Sequence, residues 1–296
     1  MCRLVILAAL ATAVPAVLAA PSLVFEERPW GRLAVAPLES APYPHPSRDL
    51  GFASGSTFYP RDPHYIDSSV GFLVPRGFEP GNTVDLIVHF HGHGNHVRRV
   101  IGDFLLGEQL TSSEVNAIMV VPQGPRDAGD SRFGRLDEPG GFEAFVRESL
   151  TCLRESGVTR TESLGRVIIM GHSGGYYTLG QIIANGDLAD HIAECWLWDA
   201  AYAQQRHFIA FAARPGTRLR SICTGHLAEE NTDILCGLQD LGVPALFLHD
   251  TAVTDEQLRA EKIVILRTTT VSHNDVICRP PNLLRWLRTS TLAQSE

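Results

Sequence analysis

The chain has 296 residues, of which 44% are hydrophobic, 20% charged and 8% aromatic. That balance excludes a disordered, collagen-like or low-complexity protein, and the length can bury a sizeable core without disulfides or metals. The formal net charge is −8 and no basic block occurs, so nothing advertises nucleic-acid binding.

The chain opens with Arg3 and an almost wholly apolar run from Leu4 to Leu18, closed by Ala19-Ala20-Pro21. A positive start, an apolar stretch and small residues at the end have the layout of a secretory signal over residues 1–20. The run is short for a membrane span. The expected mature protein is therefore soluble, secreted or periplasmic, with no stable membrane insertion. Eight prolines between Pro21 and Pro63 make residues 21–64 an extended lead-in with room for a short strand or two.

Residues 65–296 read as one domain of alternating elements. Strands are expected at 70–74, 84–90, 116–121, 166–170, 195–198, 219–223, 244–248 and 262–270. Helices are expected at 97–106, 142–156, 175–184, 204–213, 232–241 and 283–288. In the second of these, Phe142, Phe145, Val146, Leu150 and Leu153 form an apolar stripe at helical spacing. Strands alternating with helices imply an α/β fold: a mostly parallel sheet covered on both faces.

Cys2 leaves with the signal, and Cys152, Cys195, Cys223, Cys236 and Cys278 remain. No C-x-x-C pair occurs, which excludes a zinc ribbon or thioredoxin motif. An oxidising compartment would allow up to two disulfides, with Cys223 and Cys236 the nearest pair in sequence. The alternative is that these are small buried apolar residues.

The sharpest motif is Gly171-His172-Ser173-Gly174-Gly175, a G-x-S-x-G pentapeptide that occurs once. It lies between an expected strand and an expected helix. A nucleophile on a tight strand-to-helix turn needs small flanking residues, and the helix N-terminus favours developing negative charge. In this setting the chain resembles the α/β-hydrolase superfamily over residues 65–290. The resemblance implies an eight-stranded, mostly parallel sheet with Ser173 as nucleophile, followed in the chain by an acid and then a histidine. It implies an oxyanion hole from the Gly174 N–H and from the turn His91-Gly92, where His93 supplies the second backbone donor. His273, after the last long strand, stands where the family puts its general base. Asp199 ends the strand 195–198 and can orient His273, although it also reads as a helix N-cap. Most members place the acid one strand later, which leaves Asp233, Asp250 and Asp255 as alternatives.

Four histidines fall within eight residues: His89, His91, His93 and His96. Alternate residues of a strand share a face, so His89, His91 and His93 could converge on a metal. The pattern distantly resembles the H-x-H-x-D-H signature of metallo-β-lactamase-fold hydrolases, but His93 and Gly94 replace its Asp and last His. The serine reading instead places these histidines on the pocket floor, with His91 bonded to backbone. Tyr176, Tyr177 and Tyr202 are candidate pocket walls. The loop 122–141 follows a strand C-terminus and should lie on the active-site side, with Arg126, Arg132 and Arg135 nearly balanced by Asp127, Asp130, Asp137 and Glu138.

The expected function is a secreted serine hydrolase acting on small-molecule or polymeric acyl substrates. Carboxylic esters are preferred because no large lid or peptide-binding domain is apparent. No metal or organic cofactor is implied. A peptidase or amidase with the same triad, a His-cluster metal hydrolase and a non-catalytic binding protein are the competing readings.

Overall fold

A computed structural model of the chain describes residues 22–293, and the expected signal at 1–20 lies outside the described residues. Strands β1 (Glu26–Arg28) and β2 (Gly31–Pro37) form a hairpin, and β3 (Phe52–Ser54) and β4 (Thr57–Tyr59) a second one. A helical turn, α1 (Arg61–His64), leads to β5 (Ser69–Pro75), β6 (Val84–Phe90), α2 (Val97–Asp103), α3 (Leu106–Ser113) and β7 (Ala117–Pro122). Next come α4 (Gly141–Glu155), β8 (Leu164–His172), α5 (Tyr176–Asn185), β9 (Ile192–Trp198), α6 (Gln205–Ala213) and β10 (Arg218–Cys223). The chain closes with α7 (Ala228–Asp240), β11 (Leu246–His249), α8 (Asp255–Ala260), β12 (Ile263–Arg267) and α9 (Asn282–Arg288).

One sheet contains ten strands in the order β1-β2-β5-β7-β6-β8-β9-β10-β12-β11. The pairings β1–β2, β2–β5 and β5–β7 are antiparallel. All others are parallel. The eight expected strands are all present, and β1 and β2 raise the number to ten. Both come from the proline-rich segment. Its prolines fall in the hairpin turn (Pro29) and at the strand end (Pro37), where a ladder tolerates a missing N–H. Leu33, Ala34 and Ala36 bury their side chains.

The central strands are buried on both faces, so most of their residues are apolar without strict alternation. Alternate residues still divide between two cores. Val88, Phe90, Val120, Ile169 and Leu197 face one side with α4 to α7 over them. Ile87, Met119, Ile168, Met170, Trp196 and Trp198 face the other, under α2, α3, α8 and α9. All five residues of the expected α4 stripe are buried.

Three expectations are corrected. The helix expected at 97–106 breaks into α2 and α3 because Leu105 adopts a left-handed φ of 52°. The apolar period runs on through Phe104, so spacing hides the break. Helix α8 was not anticipated, although Thr254 and Gln257 form a capping box at its start. The Cys223–Cys236 pair does not form: all five described cysteines are free, with Cys223 buried at the end of β10 and Cys236 exposed on α7. No helix among the described residues is long and apolar enough to cross a membrane.

Parallel strands bring their C-terminal ends to one edge of the sheet. Five such ends deliver the site: β6 leads to His91–His93, β8 to Ser173, β9 to Asp199, β10 to Thr224 and His226, and β12 to the loop of His273.

Candidate active site

Ser173 follows β8 directly and has a left-handed φ of 50°. For a non-glycine residue that conformation costs about 1–3 kcal/mol and persists only where surroundings impose it. Here they do. A Cβ on Gly171 would lie 2.8 Å from Leu179 Cδ1, and one on Gly175 would lie 2.5 Å from the Phe90 carbonyl oxygen. The turn can be this tight only because both positions lack a side chain. Gly92, in the His-Gly turn after β6, is pressed onto the serine: a Cβ there would stand 2.7 Å from Ser173 Cβ.

The histidines around that turn have separate tasks. His91 is buried, its Nδ1–H donates to the Gly92 carbonyl at 2.9 Å, and its Nε2 accepts the Gly124 N–H at 3.0 Å. It therefore bonds the backbone of the turn. His93 lies against Gly174, where a Cβ would come within 2.7 Å of its Nε2, and that Nε2 sits 2.8 Å from Ser131 Oγ. Ser131 belongs to the loop 122–141, which thus reaches the site side as its position after β7 suggested. The buried pair Arg48–Asp130, 2.7 Å, ties this loop to the proline-rich segment one residue before Ser131. His96 instead caps α2, and His89 is enclosed against Phe104 with neither ring nitrogen bonded. His89, His91 and His93 do not converge on a common point. Among the described residues, the three metal-capable groups that do converge are Asp199, His226 and His273.

Asp199 is fully buried at the end of β9 and, like Ser173, has a positive φ, 48°. Its Oδ2 lies 2.7 Å from His273 Nδ1. Thr224 donates to the same carboxylate twice, through its backbone N–H to Oδ1 at 2.9 Å and its hydroxyl to Oδ2 at 2.8 Å. Burial alone would raise the Asp199 pKa, but the hydrogen bonds from His273 and Thr224 outweigh it and hold the carboxyl below its ordinary range. An ionised Asp199 keeps the proton of neutral His273 on Nδ1, leaving Nε2 as a base. The hydrogen bonds of His273 go to Asp199 and His172, not to Ser173. The alternative acids are placed differently. Asp255 pairs with Arg285 at 2.6 Å, Asp250 lies 2.9 Å from His249 Nδ1, and Asp233 is exposed on α7.

Two contributors escaped the sequence reading. His172 is buried beneath His273, its Nε2–H donating to the His273 carbonyl at 2.9 Å and its ring tilted 34° at a centroid distance of 4.7 Å. His226 sits 2.9 Å from the Tyr202 hydroxyl through Nε2 and 2.6 Å from Thr224 Oγ through Nδ1. The rule that strand C-termini line the site could have flagged His226, three residues past β10. Tyr202 and Tyr176 stack loosely, 5.7 Å apart, as one wall. Burial pushes the Tyr202 phenol up, and the neighbouring Ser173 hydroxyl partly opposes this. A groove of about 650 Å³ opens beside His93, lined by Asn95, Asp103, Phe104, Leu105 and Asn274.

Three imidazoles under the site are kept neutral by burial. His91 and His172 are each pushed down to about 4, and His89 falls well below its ordinary value. An unfolded histidine protonates near pH 6.5, so below that pH the unfolded chain binds more protons than the folded one. Stability from these groups is complete above about pH 6.5 and is lost as pH falls toward about 4, by up to about 1.4 kcal/mol per pH unit for each group. Urea unfolding at about pH 7.5 and about pH 5 should show a large drop in midpoint. An unchanged midpoint would mean that the buried imidazoles are not held neutral.

No family model and no curated protein matches the chain. Solved structures do. The feruloyl esterase module from Clostridium thermocellum, a serine-to-alanine mutant complexed with sinapinate, is similar over 94% of this chain and 98% of its own, with TM-score 0.52 and 12% identity. The chain has the α/β-hydrolase fold. A second solved structure, named FAE, is similar over 77% of this chain and 85% of its own, with TM-score 0.52 and 13% identity.

Proposed function

We propose that the chain is an exported serine hydrolase of carboxylic esters, with Ser173 as nucleophile, His273 as general base and Asp199 as the acid that orients it. The observation that carries this is the buried Asp199 carboxylate, 2.7 Å from His273 Nδ1, on the same sheet edge as a serine with φ 50°. Ser173 Oγ attacks the ester carbonyl while His273 Nε2 takes its proton. The oxyanion is received by the backbone N–H groups of Gly174 and His93. The tetrahedral adduct then collapses, the alcohol leaves with the proton from His273, and an acyl group remains on Ser173. Water, activated by His273, releases the acid and restores the serine.

The likeness to a feruloyl esterase module supports an ester over an amide. The groove beside His93, about 650 Å³, has the size of small-molecule sites and walls that mix Asn95, Asp103 and Asn274 with Phe104 and Leu105. It suits an ester with a polar side. Export rests on the apolar run at Leu4 to Leu18 and the small residues after it.

The test is labelling of the folded protein by a fluorophosphonate probe at neutral pH. Wild type should be labelled and Ser173→Ala should not. Folded wild type that stays unlabelled would sink the serine hydrolase reading, and labelling of both would move the reactive group elsewhere.

A further inference from the structure

A serine hydrolase needs one histidine beside its acid, and this chain has two. We propose that Asp199, His226 and His273 form a binding site for a divalent transition-metal ion of the zinc type, and that occupancy switches hydrolysis off. The inhibitory consequence rests on the catalytic reading above; the binding does not.

The geometry centres on one oxygen. Asp199 Oδ2 lies 2.7 Å from His273 Nδ1 and 3.7 Å from His226 Nδ1, and each residue offers a ligand atom within 4.8 Å of the others. Zinc with nitrogen and oxygen ligands at about 2.0–2.1 Å places tetrahedral ligands about 3.4 Å apart. The two observed spacings bracket that value, so small side-chain shifts suffice. The three residues follow the neighbouring strands β9, β10 and β12, which fix their backbones. The carboxylate is fully buried, whereas the His226 and His273 side chains are 47% and 28% exposed. An ion can therefore enter from solvent and keep a water as its fourth ligand. Two histidines and a carboxylate are a donor set that suits zinc and its neighbours.

In the metal-free state the hydrogen bonds run toward Asp199: Tyr202 O–H to His226 Nε2, His226 Nδ1–H to Thr224 Oγ, and Thr224 O–H and His273 Nδ1–H to Asp199 Oδ2. Binding moves the His273 proton from Nδ1 to Nε2, so that Nδ1 becomes a ligand as a neutral imidazole. Neutral His226 moves its proton to Nε2, which then donates to Tyr202, and its Nδ1 becomes a ligand. With the metal on Nδ1 and the proton on Nε2, His273 has no lone pair left to accept the Ser173 proton, and Asp199 is no longer free to stabilise an imidazolium. Hydrolysis stops while the fold is unchanged.

The test compares tag-free wild type with His226→Gln and His226→Ala. Zinc chloride is titrated by calorimetry, and hydrolysis of p-nitrophenyl acetate is followed with each protein normalised to its own zinc-free rate. We expect one zinc per wild-type chain, binding at least about tenfold weaker in both variants, an inhibition curve shifted by the same factor, and recovery with EDTA. Cobalt(II) should give wild type the visible bands of a tetrahedral nitrogen–oxygen site, a readout that needs no variant. Equal zinc affinity in wild type and variants, or no binding to wild type, overturns the proposal. Ser173→Ala separates the two readings. If it binds zinc in a His226-dependent way while wild type resists fluorophosphonate, the serine reading fails and the metal site stands. If wild type is labelled but binds no zinc, the reverse holds.

Discussion

Replacing Ser173 by alanine is expected to lower kcat for ester hydrolysis by roughly a millionfold and to leave the chain folded. The size follows from the role. The covalent route requires an oxygen at this position, and loss of the nucleophile leaves only the oxyanion donors and substrate binding to act on the ester. The folded state should tolerate the change because alanine keeps the Cβ that already meets Gly92, and Ser173 is only partly buried. The left-handed φ of 50° belongs to a turn for which Gly171 and Gly175 make room, and alanine can adopt it as serine does. Urea unfolding should therefore shift by no more than about 0.5 kcal/mol. Stopped-flow or end-point hydrolysis, with the purified variant checked for traces of wild type, measures the rate. A variant retaining a tenth of the wild-type rate would make Ser173 a bystander.

Much of this architecture could be read from the sequence because the physics is local. Leu86–Val88, Ala117–Val121 and Val167–Met170 are apolar runs with no polar break, the pattern of strands buried on both faces. The strand-to-helix turn at Ser173 was legible for a steric reason, since glycines at 171 and 175 are the condition for its tightness. What was hidden depends on contacts far apart in the chain. The strand Gly31–Pro37 lies among prolines and is defined by its partner β5, not by its own pattern. Cys223 and Cys236, thirteen residues apart, stay unpaired because one is enclosed at a strand end and the other faces solvent. His226 and His172 acquire meaning only when β9, β10 and β12 are laid side by side. The His89–His96 cluster shows the converse. Its spacing resembles a metal site, yet the turn after Phe90 sends His91 to backbone, His93 to Ser131 and His96 to a helix cap.

Asp199→Asn is expected to reduce kcat roughly ten-thousandfold, whereas Asp250→Asn and Asp255→Asn should stay within about threefold of wild type. An asparagine at 199 fills the same buried space and can still accept the Thr224 N–H that now reaches Oδ1 at 2.9 Å. Its amide nitrogen, however, faces His273 Nδ1 where a carboxylate oxygen lies at 2.7 Å. An N–H donor there forces His273 into the other tautomer, with its proton on Nε2, and no lone pair is left to receive the Ser173 proton. The amide also removes the negative charge that stabilises the imidazolium formed during attack. Neither loss is available to the other two acids. Asp255 is spent on Arg285 at 2.6 Å, and Asp250 faces His249. Steady-state kcat for the three variants on one ester decides the matter, provided each unfolds cooperatively in urea. Near-normal turnover by Asp199→Asn would transfer the acid's role away from β9. A loss confined to Asp250→Asn would place it after β11 instead.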